Sequence, residues 1–218
     1  MLHAVTTDEI VGAADFLDRA RGVMGALGPR GALHLRAPRA GGRRLHDLAA
    51  ALLPGARATG CVLVVNDRLD VALAAGADGV QLTSRSLSAG DARAAARSGA
   101  AHPPGAGDGY PSFLIGASVH ALDEARAAAA AGVDWVVAGH LFPTPSHAGA
   151  PGRGLAFLRE VAGAVPCPVI GIGGVLPRHL PLLRAAGAHG AAVIRGVWDA
   201  ENAERAASDY LSAYDGSG

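Results

Sequence analysis

One motif constrains this chain more than any other, and it occurs three times: "LAAGADGVQLT" (73–83), "AAAGVDWVVAG" (129–139) and "LRAAGAHGAAVIRG" (183–196). In each, an alanine-rich helix-forming run ends at a glycine (Gly76, Gly132 or Gly187), and an apolar strand-forming run begins within a few residues. Glycine suits a left-handed helix cap because it has no Cβ to clash there. The three glycines lie 56 and 55 residues apart. With a β/α unit of about 27 residues, each interval holds two units and the whole chain holds eight.

Eight short runs fit that count: His3–Thr6, Ala32–Leu35, Cys61–Val65, Gly79–Leu82, Leu114–Val119, Trp135–Ala138, Val169–Ile172 and Ala191–Ile194. They are apolar on both faces, as parallel strands beneath helices must be. Helical spacing fills the gaps; Leu69, Ala72, Leu73 and Gly76 form one i, i+3, i+4, i+7 stripe. Strand and helix alternate throughout, which predicts an α/β fold, a single (β/α)8 TIM barrel over residues 1–218, ahead of a doubly wound open sheet. Aromatic residues make up only 4% of the chain, so the core must be packed with Ala, Val, Leu and Ile. Two segments break the rhythm. Residues 101–112 precede strand five and read as an exposed insertion. Residues 139–154 follow strand six on the face where barrel enzymes carry their chemistry, so 143–153 read as a lid.

Charge excludes several partners. The formal net charge is zero, with 19 basic and 19 acidic residues, and only Arg43-Arg44 forms a basic run, which argues against nucleic acid. Every basic residue among the 19 is arginine, so a Schiff-base lysine is excluded. Cys61 and Cys167 have no zinc-like spacing and read as buried packing residues. No run reaches the ~18 apolar residues of a spanning helix, and the N-terminus lacks a signal pattern, so the expectation is a cytoplasmic protein without a membrane partner.

In a barrel, polar residues at strand C-termini converge on one pocket. Here they are Arg36, Asn66, Asp67, Gln81, Thr83, His120, His140, Gly173, Gly174, Arg195 and Gly196. Glycine turns after strands seven and eight, "GIGGV" and "VIRGV", are the usual place for a barrel to cradle a phosphate on backbone N–H groups. His140 ends strand six at the pocket mouth. It is either a structural histidine or a proton carrier, and imidazole suits the second role near neutral pH. His120 either joins the pocket or starts the next helix. Asp67 reads as a helix cap rather than a magnesium ligand, since a lone carboxylate makes a poor magnesium site. His147 reads as solvated, and His3, His34, His46, His102, His179 and His189 carry no discriminating context.

The stretches "NDRLDVALAAGADGVQL", "IGASVHALDEARAAAAAGVDWVVAGHLFPT" and "VIGIGGVLPRHLPLLRAAGAHGAAVIRGV" resemble the thiamin phosphate synthase and thiazole tautomerase superfamily of (β/α)8 barrels. The synthase branch joins an aminopyrimidine diphosphate to a thiazole phosphate with magnesium. Against that pattern, "HLRAPRA" lacks a lysine after Arg36, and "VQLTSRSLS" lacks a second acid after strand four. "FPTPSH" puts Ser146 and His147 where the synthases end Thr-Lys. The tautomerase branch is similar at "VQLTSRSLSA", "SVHALDEA", "AGHLFPT" and "APGRGLAFL", and it carries histidine at the position of His140, where synthases carry proline.

The resemblance therefore implies a thiazole tautomerase that needs no cofactor, with His140 as acid/base. The substrate is a small phosphorylated thiazole. Gly173, Gly174, Arg195 and Gly196 hold its phosphate, and Arg36, Asn66, Gln81 and His120 supply other contacts. No metal site is expected, and magnesium enters only under the synthase alternative. A third reading is a barrel that binds thiazole or thiamin phosphates without turnover. Homo-oligomerisation through the alanine-rich helices stays open.

Overall fold

The computed structural model describes residues 1–98, 113–144 and 149–216. Eight parallel strands among them close into a barrel in sequence order: β1 (Leu2–Val5), β2 (Gly31–Leu35), β3 (Val62–Asn66), β4 (Gly79–Leu82), β5 (Leu114–Val119), β6 (Trp135–Gly139), β7 (Val169–Ile172) and β8 (Gly190–Val193). Closure runs through β1 and β8, with Leu2 opposite Ala191 and Ala4 opposite Val193. The fold is thus the TIM barrel that the repeated motif predicts. Its helices are α1 (Asp8–Gly12), α2 (Phe16–Leu27), α3 (Gly42–Thr59), α4 (Leu69–Ala75), α5 (Ala89–Ser98), α6 (Leu122–Ala130), α7 (Gly154–Ala164), α8 (Leu180–Ala185), α9 (Arg195–Trp198) and α10 (Ala203–Asp215).

Gly76, Gly132 and Gly187 all adopt left-handed backbones, with φ of 72°, 76° and 90°, at or just past the ends of α4, α6 and α8. That is the cap geometry the motif requires. The helices pack by stripes; on α2, Phe16, Ala20, Val23, Met24 and Leu27 are buried on one face.

Two layers make up the core. The larger lies between strands and helices. The inner one fills the barrel with Val5, Ala32, Val64, Trp135, Val137, Ile170 and Ala192. The buried His3, His34 and Gln81 interrupt the apolar interior.

Several strand limits differ from the expected ones by a residue. β3 reaches Asn66, which pairs with Gln81, and β6 reaches Gly139, which pairs with Ile172. Ile194 does not belong to β8 and turns the chain into α9 with φ −108° and ψ −88°. Cys61 is buried, which pushes its thiol up to about 12, but Cys167 is only partly buried, contrary to expectation. The expected insertion at 101–112, together with His102, Ser146 and His147, lies outside the described residues.

Candidate active site

The C-terminal ends of the strands surround a cavity of about 670 Å³. Arg36 from the exit of β2, Asn66 and Gln81 from β3 and β4, and His120 and His140 after β5 and β6 all line it. So do Gly173, Gly174, Arg195 and Gly196 from the turns after β7 and β8. The barrel therefore brings together every position singled out from strand endings except Asp67, which lines a smaller neighbouring recess.

The two glycine turns have distinct local causes. Gly173 and Gly174 take φ of 97° and 63°, a region that disfavours side chains. A Cβ on Gly173 would lie 2.4 Å from His140 Cβ, and one on Gly174 would lie 2.6 Å from the carbonyl of Pro143. Packing of the β6 loop thus demands glycine here even without an anion. At the other turn, a Cβ on Gly196 would lie 2.0 Å from the Tyr210 hydroxyl, which is held in place by donating to the Val175 carbonyl at 2.9 Å. Gly173, Gly174, Arg195 and Gly196 line the cavity at the two turns, the place where a barrel offers backbone N–H groups to an anion.

His140 follows β6 directly, across a cis Gly139–His140 peptide. Its backbone is held on both sides. Leu141 and Phe142 continue the sheet pattern by donating to the carbonyls of Ile172 and Gly173 at 2.8 and 3.0 Å. Arg153 and Gly154 donate back to the carbonyls of His140 and Leu141, both at 2.9 Å. A Cβ on Gly152 would lie 2.2 Å from the Leu141 carbonyl. The C-terminal end of the expected 143–153 lid is therefore stitched to the strand exit. His140 itself sits in van der Waals contact with the Gly173 turn.

Arg36 is fixed through its backbone. The buried Thr6 hydroxyl accepts from the Arg36 N–H at 2.9 Å and donates to the Arg36 carbonyl at the same distance. His120 sits at the rim, largely exposed. Its N–H donates to the Glu124 carboxylate at 2.6 Å, and its ring lies 3.5 Å from the same group. Ala121, not His120, takes the cap position of α6.

Asp67 does not cap α4. Arg68 stands at that position, while the Asp67 carboxylate accepts from Thr83 Oγ1 at 2.5 Å and Ser86 Oγ at 2.8 Å. The carboxylate thus ties the exit of β3 to the loop after β4. It shares the small recess with Arg36, Asn66, Arg68 and Arg85 and faces no second carboxylate there. Among the described residues, no group of three or more His, Cys, Asp or Glu is placed to hold a metal. Magnesium is usually held through one or two carboxylates together with substrate phosphates, and Asp67 is the carboxylate this recess would offer it.

The residues overlooked from the sequence form the cavity floor. His34 lines the cavity and bonds to His3 at 2.9 Å and to Asn66 at 3.2 Å. Ser118 accepts from Gln81 Nε2 at 3.0 Å, and Gln81 Oε1 accepts from Trp135 Nε1 at 2.8 Å. Burial holds His34 down to about 4 and His3 well below the usual imidazole range, so both are neutral at pH 7. The available signal was a polar residue inside an otherwise apolar strand, which His34 and Ser118 both are.

Arg36, Arg85 and Arg195 line the cavity, while no Asp or Glu among the described residues does. Its field favours anions. No helix among the described residues is long and apolar enough to cross a membrane.

Comparison with known proteins places the barrel in a family. Residues 2–197 match the family model described as thiamine monophosphate synthase. The thiamine-phosphate synthase of Methanoculleus marisnigri is 41% identical over 214 residues, covering 96% of this chain and 94% of its own length. That of Chlorobium luteolum is 36% identical, with coverages of 95% and 90%. The solved thiamine phosphate pyrophosphorylase from Pyrococcus furiosus superposes with a TM-score of 0.81 at 29% identity, covering 99% of this chain and 96% of that one. These relatives carry the synthase name, not that of the tautomerase branch. With one family model spanning nearly the whole barrel and curated relatives matched end to end, the chain belongs to the thiamine monophosphate synthase family of thiamin biosynthesis.

Proposed function

We propose that this member of the family is a thiazole tautomerase, which aromatises a carboxythiazole phosphate tautomer by proton transfer through His140. One observation carries the reading: an imidazole, in place of the proline typical of synthases, stands at the strand-six exit in contact with the Gly173 turn. A phosphate held by the amides of Gly173, Gly174, Arg195 and Gly196 would anchor the substrate beside that imidazole. Arg36 would face a second anionic group. His140, neutral, removes the proton from the sp3 ring carbon that bears the carboxylate. The freed electron pair enters the ring as the exocyclic alkene carbon takes a proton from the imidazolium. The proton count balances and no oxidant is needed. Acid/base catalysis of this kind supplies roughly 10²–10⁴-fold, enough for a step driven by aromaticity.

The test follows ultraviolet absorbance as purified protein meets freshly made tautomer. His140→Asn is expected to remove most turnover while retaining affinity for thiazole phosphate; equal loss of both would overturn the proton-transfer role.

A second reading is the synthase reaction, favoured by the names of the curated relatives at up to 41% identity. It demands diphosphate release from an aminopyrimidine diphosphate with magnesium. Asp67 would be the carboxylate that holds the metal in that reaction, with Thr83 and Ser86 both donating to its Oδ1.

A further inference from the structure

The cavity floor is a second polar set, separate from the glycine turns, and its hydrogen bonds all have one polarity. The Trp135 indole can only donate, and its buried bond to Gln81 Oε1 at 2.8 Å commits that oxygen. Gln81 Nε2 therefore faces Ser118 Oγ, at 3.0 Å. Ser118 accepts there, which leaves its own hydroxyl proton to donate. Gly116 makes room for this arrangement, since a Cβ there would lie 2.3 Å from the Trp135 ring and 2.4 Å from Gln81 Oε1.

The neighbouring strands repeat the logic. His3 Nε2 is buried and has no hydrogen-bond partner among the described residues. An orphaned buried N–H is rarer and costlier than a bare lone pair, so the His3 proton sits on Nδ1 and is donated to His34 Nε2 at 2.9 Å. His34, accepting at Nε2, carries its proton on Nδ1 and donates it to Asn66 Oδ1 at 3.2 Å. With Oδ1 taken, the Asn66 amide offers the cavity only its Nδ2 hydrogens, for which no protein acceptor exists among the described residues. Asn66 and Gln81 are register partners on adjacent strands, so these donors stand side by side.

We propose that Asn66, Gln81 and Ser118 form a carboxylate-binding subsite on the barrel floor, set to all-donor polarity by the buried His3–His34 pair on one side and Trp135 on the other. The ligand class is a phosphorylated heterocycle that also bears a ring carboxylate, its phosphate at the glycine turns and its carboxylate at the floor. The assignment rests on the tautomerase reading, because that reading supplies a substrate with both groups. Asn66, Gln81 and Ser118 touch the ligand, whereas His34 is a positioning residue that acts through Asn66.

The test is calorimetric titration of the full chain at pH 7.5 with two stable aromatic ligands, carboxythiazole phosphate and thiazole phosphate lacking the carboxylate. Hydrogen bonds to a charged group predict that the carboxylated ligand binds at least about tenfold tighter to the wild type. In Asn66→Asp, whose added charge opposes the carboxylate, the ratio is expected to collapse; in Ser118→Ala, which changes the fold least, it is expected to shrink. His34→Phe should lower the ratio too, and His34→Gln, which keeps a donor amide, should restore part of it; a merely structural role for His34 would change both affinities alike. Equal affinities in the wild type, or a ratio untouched in Asn66→Asp and Ser118→Ala, would overturn the subsite. Turnover of the tautomer by the wild type is scored separately. Turnover without a carboxylate preference sinks the subsite alone, and a preference without turnover sustains the subsite and sinks the tautomerase.

Discussion

Acidification should loosen this barrel from the inside, well before its carboxylates titrate. His34 is fully buried and held down to about 4, whereas in the unfolded chain it returns to an ordinary imidazole value near 6.5. The sign follows directly. Above pH 6.5 neither state binds the proton and nothing is lost. As pH falls below 6.5 the unfolded state takes up a proton that the folded state refuses, so stability drops until the folded value near 4 is reached. Between pH 7 and 4.5 this amounts to roughly 2–3 kcal/mol from His34 alone. His3 is depressed as well, by burial first and then by the charge of its neighbour, and adds a loss of the same sign. The assay is urea denaturation at intervals from pH 7 to 4.5, read by tryptophan fluorescence, with His34→Gln alongside. Trp135 suits the readout because its ring meets His3 and His34 edge-on at 5.7 and 6.3 Å. The wild-type midpoint should fall steeply across this range, and the variant's slope should be shallower by the His34 share. Glu9 and Asp70, whose carboxyls are held low by local hydrogen bonds, titrate alike in both proteins and cancel. Parallel slopes in the two proteins would refute the reasoning.

Other perturbations test the packing around the site. Gly116→Ala forces a methyl into the Trp135–Gln81 contact and should cost about 1–3 kcal/mol with a shifted tryptophan emission, measurable by thermal melting and fluorescence. Thr6→Val strips both hydrogen bonds from the Arg36 backbone and leaves its part-buried N–H without that partner, a loss of about 1–3 kcal/mol in denaturant titration. Gly196→Ala places a Cβ 2.0 Å from the Tyr210 hydroxyl, so Tyr210→Phe should restore part of its stability, and a double-mutant cycle showing no coupling would contradict the contact.

The architecture was legible because its signals are local. A cap glycine before each of three strands reports on its own φ, and regular spacing multiplies that into eight units. In a parallel barrel the strand endings share one rim, so naming the residue after each strand names the cavity wall. Features that depend on register were not legible. Asp67 reads locally as a cap, yet its partners Thr83 and Ser86 arrive from the next strand's exit. The His3–His34 pair exists only because β1 and β2 place both rings inside the barrel, a relation no sequence window contains. The glycines at 173 and 174 suggested an anion cradle, but their tight contacts with His140, Phe142 and Pro143 show a packing reason that the chain order conceals.

The most direct test of the central claim is to assay one wild-type preparation for both family reactions, side by side. One arm follows the loss of carboxythiazole phosphate tautomer by absorbance; the other follows diphosphate released from aminopyrimidine diphosphate and thiazole phosphate with magnesium. The account predicts accelerated tautomer loss and no diphosphate. Diphosphate release with no acceleration of the tautomer would contradict it and assign the barrel to the synthase reaction.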